Sequence, residues 1–120
     1  MSITVIDYGS GNLKSAAKAL ETAANNININ TKIVVTSDPK EIKQSDKIVL
    51  PGQGSFRDCY SSIKKIPGLN ETLNEFVIEK KKPILGICVG MQLFAKTGYE
   101  SQETEGFGWF DAEVRKINNM

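Results

Sequence analysis

The sequence contains no histidine. That absence removes an imidazole base, an imidazole metal ligand and a side chain titrating near neutral pH from any chemistry completed within these 120 residues. Cysteine is scarce. Cys59 and Cys88 make no disulfide framework and lack the spacing of a ligand pair, so the expectation is a reducing, cytoplasmic setting with no metal site. Charge of one sign is lacking too. The 15 Lys and Arg against 14 Asp and Glu leave a net charge of +1, which argues against the basic face that a nucleic-acid binder needs. The one basic run, Lys80 to Lys82, reads as a solvated helix end. No apolar run nears the ~20 residues that cross a bilayer. The N-terminus shows no basic segment leading into an apolar one, so neither a membrane partner nor a secretory signal is expected.

What is present is ordinary for a globular domain, at 40% hydrophobic and 24% charged, on a length that allows one domain. Ile3 to Asp7, Lys32 to Thr36 and Lys47 to Leu50 are short β-branched runs ended by turn residues, and each predicts a strand. Between them, Leu13, Ala16, Ala17, Leu20, Ala23 and Ala24 recur at helical spacing, with Asn12 placed as a cap and Asn25 to Asn30 as a loop. A short helical turn over Pro39 to Lys43 opens at Ser37 or Asp38, and Phe56 to Ile66 predicts a longer helix. A further helix carries Leu69, Leu73, Phe76 and Val77 on one stripe. Pro83 to Ile87 is apolar on both faces, which predicts a central strand. Val89 to Lys96 then reads as a helix, Tyr99 to Gly108 as a loop, and Phe110 to Ile117 as a fifth strand. Strands that alternate with helices predict an α/β fold, a parallel sheet with helices on both faces.

In such sheets ligands bind beyond the carboxyl ends of the strands. Three turns fall there: Asp7 to Asn12, Pro51 to Gly54 and Gly86 to Gly90. The last has the form Gly-x-Cys-x-Gly between a strand and a helix. That spacing holds a nucleophile in a strained turn, and its glycines leave the side chain room. Cys88 is therefore the candidate nucleophile, with the Val89 amide as an oxyanion donor and a helix N-terminus that favours thiolate. A cysteine buried in a tight turn is the plainer alternative. Cys59, within a helix, reads as a small core hydrophobe. Pro51-Gly52-Gln53-Gly54 is either a plain glycine turn or a backbone wall that offers a second oxyanion amide. Gln92 lies one helical turn beyond Cys88, facing either a polar substrate or solvent. Gly9-Ser10-Gly11 is a poor dinucleotide loop, because Lys14 stands where the third glycine belongs, and no Gly-Lys-Ser/Thr loop exists.

The segments Asp7 to Leu13, Pro51 to Cys59 and Gly86 to Phe94 together resemble the class I glutamine amidotransferases, in order and along essentially the whole chain. Met91 before Gln92, with Asp-Tyr-Gly-x-Gly-Asn near the start, is most similar to the glutaminase subunits of imidazole glycerol phosphate synthases. The resemblance implies a flavodoxin-like fold and a Cys88 that attacks the side-chain amide of glutamine, releasing ammonia and needing no cofactor. It implies oxyanion amides at Val89 and Gln53, and a glutamine pocket with Gly52, Gly54 and Gln92. It also implies a separate cyclase subunit as partner in histidine biosynthesis, lying near Tyr8, Gly11 and Asn12.

Members of that family are longer, and the resemblance implies a later Pro-His-x-Gly-Trp-Asn segment and the His and Glu of a Cys-His-Glu triad. None of these occurs in residues 1–120, so the expectation is a single, incomplete amidotransferase domain with its C-terminal part missing. Alone it should lack useful turnover, since losing the acid–base group typically removes about 10²–10⁴ in rate. It should also expose apolar surface and an unpaired strand. A non-catalytic flavodoxin-like interaction module is the alternative. A DJ-1-like cysteine protein is a third, disfavoured because a redox cysteine requires neither Gln92 nor the Pro51 to Gly54 turn.

Overall fold

In a computed structural model, which describes residues 1–100 and 102–117, parallel pairing organises the chain as far as Gly86. β1 (Ser2–Ile6) sits between β2 (Lys32–Thr36) and β3 (Lys47–Leu50), and β4 (Ile84–Gly86) pairs with β3. The order is β2-β1-β3-β4. Thr4 aligns with Val34 and Ile48, and Ile48 with Ile84. Side chains alternate along a strand, so Ile6, Ile48 and Leu50 share one face while Ile3, Val49 and Leu85 share the other. The first face is the sealed one. It packs on Ile42, Ile63, Leu73 and Phe76 from the helices that follow β2 and β3.

The helices form where spacing and caps place them. α1 (Leu13–Asn26) opens at Asn12, whose Oδ1 accepts the Ser15 N–H at 3.1 Å. It runs through Asn26, so the expected Asn25 loop begins two residues later. α2 (Pro39–Lys43) is opened by Asp38, with proline in its first turn where no N–H is needed. α3 (Phe56–Lys65) is capped by Ser55, whose hydroxyl accepts the Asp58 N–H. α4 (Leu69–Asn74) continues into a π-helical turn over Glu75–Glu79. Helices therefore cover both sheet faces, as expected, but unequally. α1 contacts β1 and β2 and buries none of its residues fully, which leaves a groove of about 160 Å³ among Ile3, Leu20, Val49 and Leu85.

Four expectations are corrected beyond that point. β4 is an edge strand rather than a central one: among the described residues nothing pairs with its outer side, and Leu85 is 55% exposed. The helix after Cys88, α5 (Val89–Gln92), stops four residues short of Lys96, because the chain straightens into β5 (Ala95–Tyr99). The expected loop contains β6 (Glu103–Glu105), antiparallel to β5. The Phe110 strand, β7 (Phe110–Arg115), joins this second sheet, ordered β6-β5-β7, and not the first. The reason is tertiary. The Phe56 ring lies so near Gly98 and Gly106 that a Cβ there would come within 2.6 and 2.8 Å of it. Phe107 and Trp109 stack at 4.2 Å, and the Trp109 indole N–H donates to Asn74 Oδ1 at 2.8 Å. These contacts tie the small sheet to α3 and α4.

Candidate functional site

β1, β3 and β4 are parallel, so the turns that follow them emerge at the same end of the sheet. They touch. A Cβ on Gly52 would lie 2.5 Å from the Gly90 amide nitrogen and 3.0 Å from the Val89 carbonyl carbon. One on Gly90 would overlap the Leu50 carbonyl, and one on Gly11 would come within 2.8 Å of Pro51 Cβ. Glycine is required here for close approach of backbone to backbone. Ile87 N–H donates to Leu50 O at 2.9 Å and locks the cysteine turn to the end of β3. The three turns singled out in the sequence thus form one surface.

Cys88 stands on it with an exposed side chain. Its φ of 56° and ψ of −125° lie in a region that L-residues rarely occupy, at a cost of about 1–3 kcal/mol. Strain at a single exposed cysteine between two glycines is what a nucleophile-presenting turn requires. The Val89 N–H meets no acceptor among the described residues, whereas the Met91 and Gln92 N–H groups close onto Cys88 O at 3.0 and 3.3 Å. α5 is one turn long, so its dipole is that of a single turn and not of the longer helix expected. Gln92 is half-buried, and its Oε1 is buried without a partner among the described residues. A buried acceptor left open costs free energy unless a ligand or water fills it.

The wall after β3 is differently placed. Gly54 is exposed with φ of 99°, and a Cβ there would touch nothing. Gln53 N–H donates to Ser10 Oγ at 2.9 Å, so this expected oxyanion donor is already engaged. Of the residues expected to face a partner, Asn12 is exposed and caps α1, and Gly11 packs on Pro51. Tyr8 is only 4% exposed. Its hydroxyl donates to Pro51 O at 2.5 Å, and burial, reinforced by the nearby Cys59, pushes its ionisation well above the usual tyrosine range. It supports the surface from below.

Two residues of this region were missed as site residues. Ser10 bonds Gln53, and Cys59, buried as expected, also donates its thiol proton to Gln53 O at 3.3 Å. The sequence signals were a serine between two glycines and a cysteine six positions after Gln53. Among the described residues no three His, Cys, Asp or Glu side chains gather to hold a metal, and no helix is long and apolar enough to cross a membrane. A hollow of about 490 Å³ between α3 and β6, lined by Arg57, Tyr60 and Glu103, shares no residue with the three turns.

Comparison with known proteins agrees with this geometry. Residues 4–109 match the family model described as glutamine amidotransferase class-I. The chain is 52% identical, over its whole length, to 56% of the imidazole glycerol phosphate synthase subunit HisH of Pelagibacter ubique. It is 50% identical to the subunit of the same name in Bradyrhizobium diazoefficiens and 46% identical to that of Brucella suis. In both cases 98% of the chain aligns with 54% of the relative. The chain spans about half the length of the curated relatives it matches.

Proposed function

The chain belongs to the class-I glutamine amidotransferase family, and from that premise we propose that it carries the nucleophile and part of the glutamine pocket of an imidazole glycerol phosphate synthase glutaminase. The observation that carries the reading is Cys88, exposed in a strained conformation where the cysteine turn packs on Pro51-Gly52. Its sulfur attacks the side-chain amide carbon of glutamine. Val89 N–H stabilises the oxyanion, the Gln53 N–H being engaged by Ser10 Oγ, and Gly52, Gly54 and Gln92 hold the substrate. The carbon–nitrogen bond breaks, ammonia leaves with an added proton, and water hydrolyses the thioester to glutamate. No cofactor takes part. The ammonia passes to a cyclase subunit docked near Gly11 and Asn12, in the cytoplasm, for histidine biosynthesis. Residues 1–120 form one incomplete domain in this reading.

The proton given to ammonia and the water activation both need an acid–base group, and no imidazole exists in the chain. The isolated chain should therefore release ammonia from glutamine no faster than Cys88→Ala. Turnover well above that variant would overturn the claim of inactivity, and a Cys88 that ignores glutamine-shaped electrophiles would overturn the assignment. A second reading is a non-catalytic module that keeps only the partner-facing surface. Binding to a cyclase subunit without any glutamine recognition at Cys88 would select it.

A further inference from the structure

The hollow between α3 and β6 has walls of opposite charge that do not meet. Arg57, Lys64 and Lys65 stand on the α3 side and Glu103 and Glu105 on the β6 side, with about 490 Å³ of open space between them. Chain geometry separates the signs. Positions 57, 60, 64 and 65 fall on one helix face, beside the stripe that Phe56, Cys59 and Ile63 bury. Side chains alternate along a strand, so Glu103 and Glu105 share a face of β6. Among the described residues the one ion pair is Arg115 with Glu113, and none crosses the hollow. Tyr60 forms the floor. Phe107 holds its ring edge-on at 5.1 Å, and Lys64 Nζ lies 5.6 Å over it. Burial raises the Tyr60 ionisation and the Glu105 carboxylate adds to the rise, so the acidic wall is felt at the floor.

Three cations and two carboxylates leave this lining at a net charge of +1. A simple anion would leave the carboxylates unpaired, and a simple cation would leave the α3 side chains unpaired. A ligand that answers both walls carries an ammonium group and more than one acid group. We propose that the hollow is a second ligand site, separate from Cys88, for an amino acid with an acidic side chain, its carboxylates on Arg57, Lys64 and Lys65 and its ammonium on Glu103 and Glu105. These contacts are charge-assisted, and water fills the remaining space. The ligand ties α3 to β6 and so stabilises the folded chain by mass action. The site uses no residue of the three turns and stands whether or not Cys88 meets glutamine.

The test is calorimetric titration of the 120-residue chain with L-glutamate at low ionic strength, where exposed charges are least screened. Glutarate, which lacks the ammonium, and glutamine, which lacks the second carboxylate, are the comparison ligands. Glutamate should bind with a Kd on the order of 1 mM and raise the melting temperature, and each comparison ligand should bind about 2- to 5-fold more weakly. Lys64→Gln should weaken glutamate and glutarate alike by about the same factor. Glu105→Gln should weaken glutamate and leave glutarate level or tighter. Both side chains are exposed, so these variants keep the fold.

Absence of saturable glutamate binding overturns the site. So does glutarate binding equal to glutamate, or a Glu105→Gln variant that binds glutamate as before, since either means plain attraction to a cationic helix. Carbamidomethylation of Cys88 separates this site from the glutaminase reading. Glutamate affinity should survive that modification, and its loss would put the ligand at Cys88 and overturn the proposal.

Discussion

Gly90 lies against the carbonyl of Leu50 with no space for a methyl group between them. That contact joins the cysteine turn to the end of β3, and it is backbone on backbone, so no rotamer change can relieve it. Gly90→Ala should therefore destabilise the fold by about 1–3 kcal/mol or more, the usual result of overpacking. Denaturant melts of the variant should show a lower midpoint. A midpoint equal to that of the parent would mean that the two turns are further apart than described.

The strain at Cys88 has the opposite sign. Its φ of 56° is natural for glycine, so Cys88→Gly removes strain at the cost of some unfolded-state entropy. The expected net is a gain of roughly 1 kcal/mol. Cys88→Ala, which keeps the Cβ, should gain nothing from relief of strain. Thermal melting of the pair decides the matter, and a glycine variant that melts below the alanine one is the contrary outcome.

Tyr8 gives the alkaline limit. Burial and the adjacent Cys59 raise its ionisation above the unfolded value near 10, so the folded state keeps the phenol proton longer than the unfolded chain does. The unfolded state then binds fewer protons above pH ~10, and stability falls as pH rises from there. Below that pH the contribution is fully present. Tyr8→Phe should flatten this alkaline loss while lowering stability at neutral pH by about 1 kcal/mol through the lost hydrogen bond to Pro51. Stability measured from pH 8 to 11.5 in both proteins checks it.

The open side of β4 should make the chain associate with itself. Leu85 is 55% exposed on a strand whose outer edge has no partner among the described residues, and Ile87, just past its end, is 41% exposed. Edges of that kind pair with one another unless charge prevents it. Leu85→Lys should raise the monomer fraction in sedimentation velocity at micromolar concentrations. A parent chain that is already monomeric throughout that range would refute the expectation.

The three turns were legible because glycine and cysteine mark backbone positions, and a backbone position survives whatever packs around it. Gly90 and Gly52 each stand where a side chain would collide with a neighbouring turn, and Gly86 where one would strike the backbone of Met91 in α5. The place of β4 in the sheet was not legible. Ile84, Leu85 and Ile87 read as apolar on both faces, and hydrophobicity says that a face is suited to burial, not that anything covers it. The end of α5 was hidden for another reason. Val89 and Leu93 are both buried at the i,i+4 spacing of a helical stripe, yet Phe56 and the glycines at 98 and 106 draw the segment beyond them into a sheet. Long-range contacts outweighed a local pattern. Ser10 was unreadable as a site residue, because its role depends on Gln53, which is distant in sequence.

Phe56 begins α3 immediately after the wall beside Cys88, and its ring is wedged beneath two glycines of the second sheet. That wedge makes the small sheet a ballast for the wall. A change far from the thiol, at Gly98 or Gly106, would loosen the anchorage of the wall's downstream end, so faults in the β5–β7 unit should surface as altered chemistry at a cysteine they never touch.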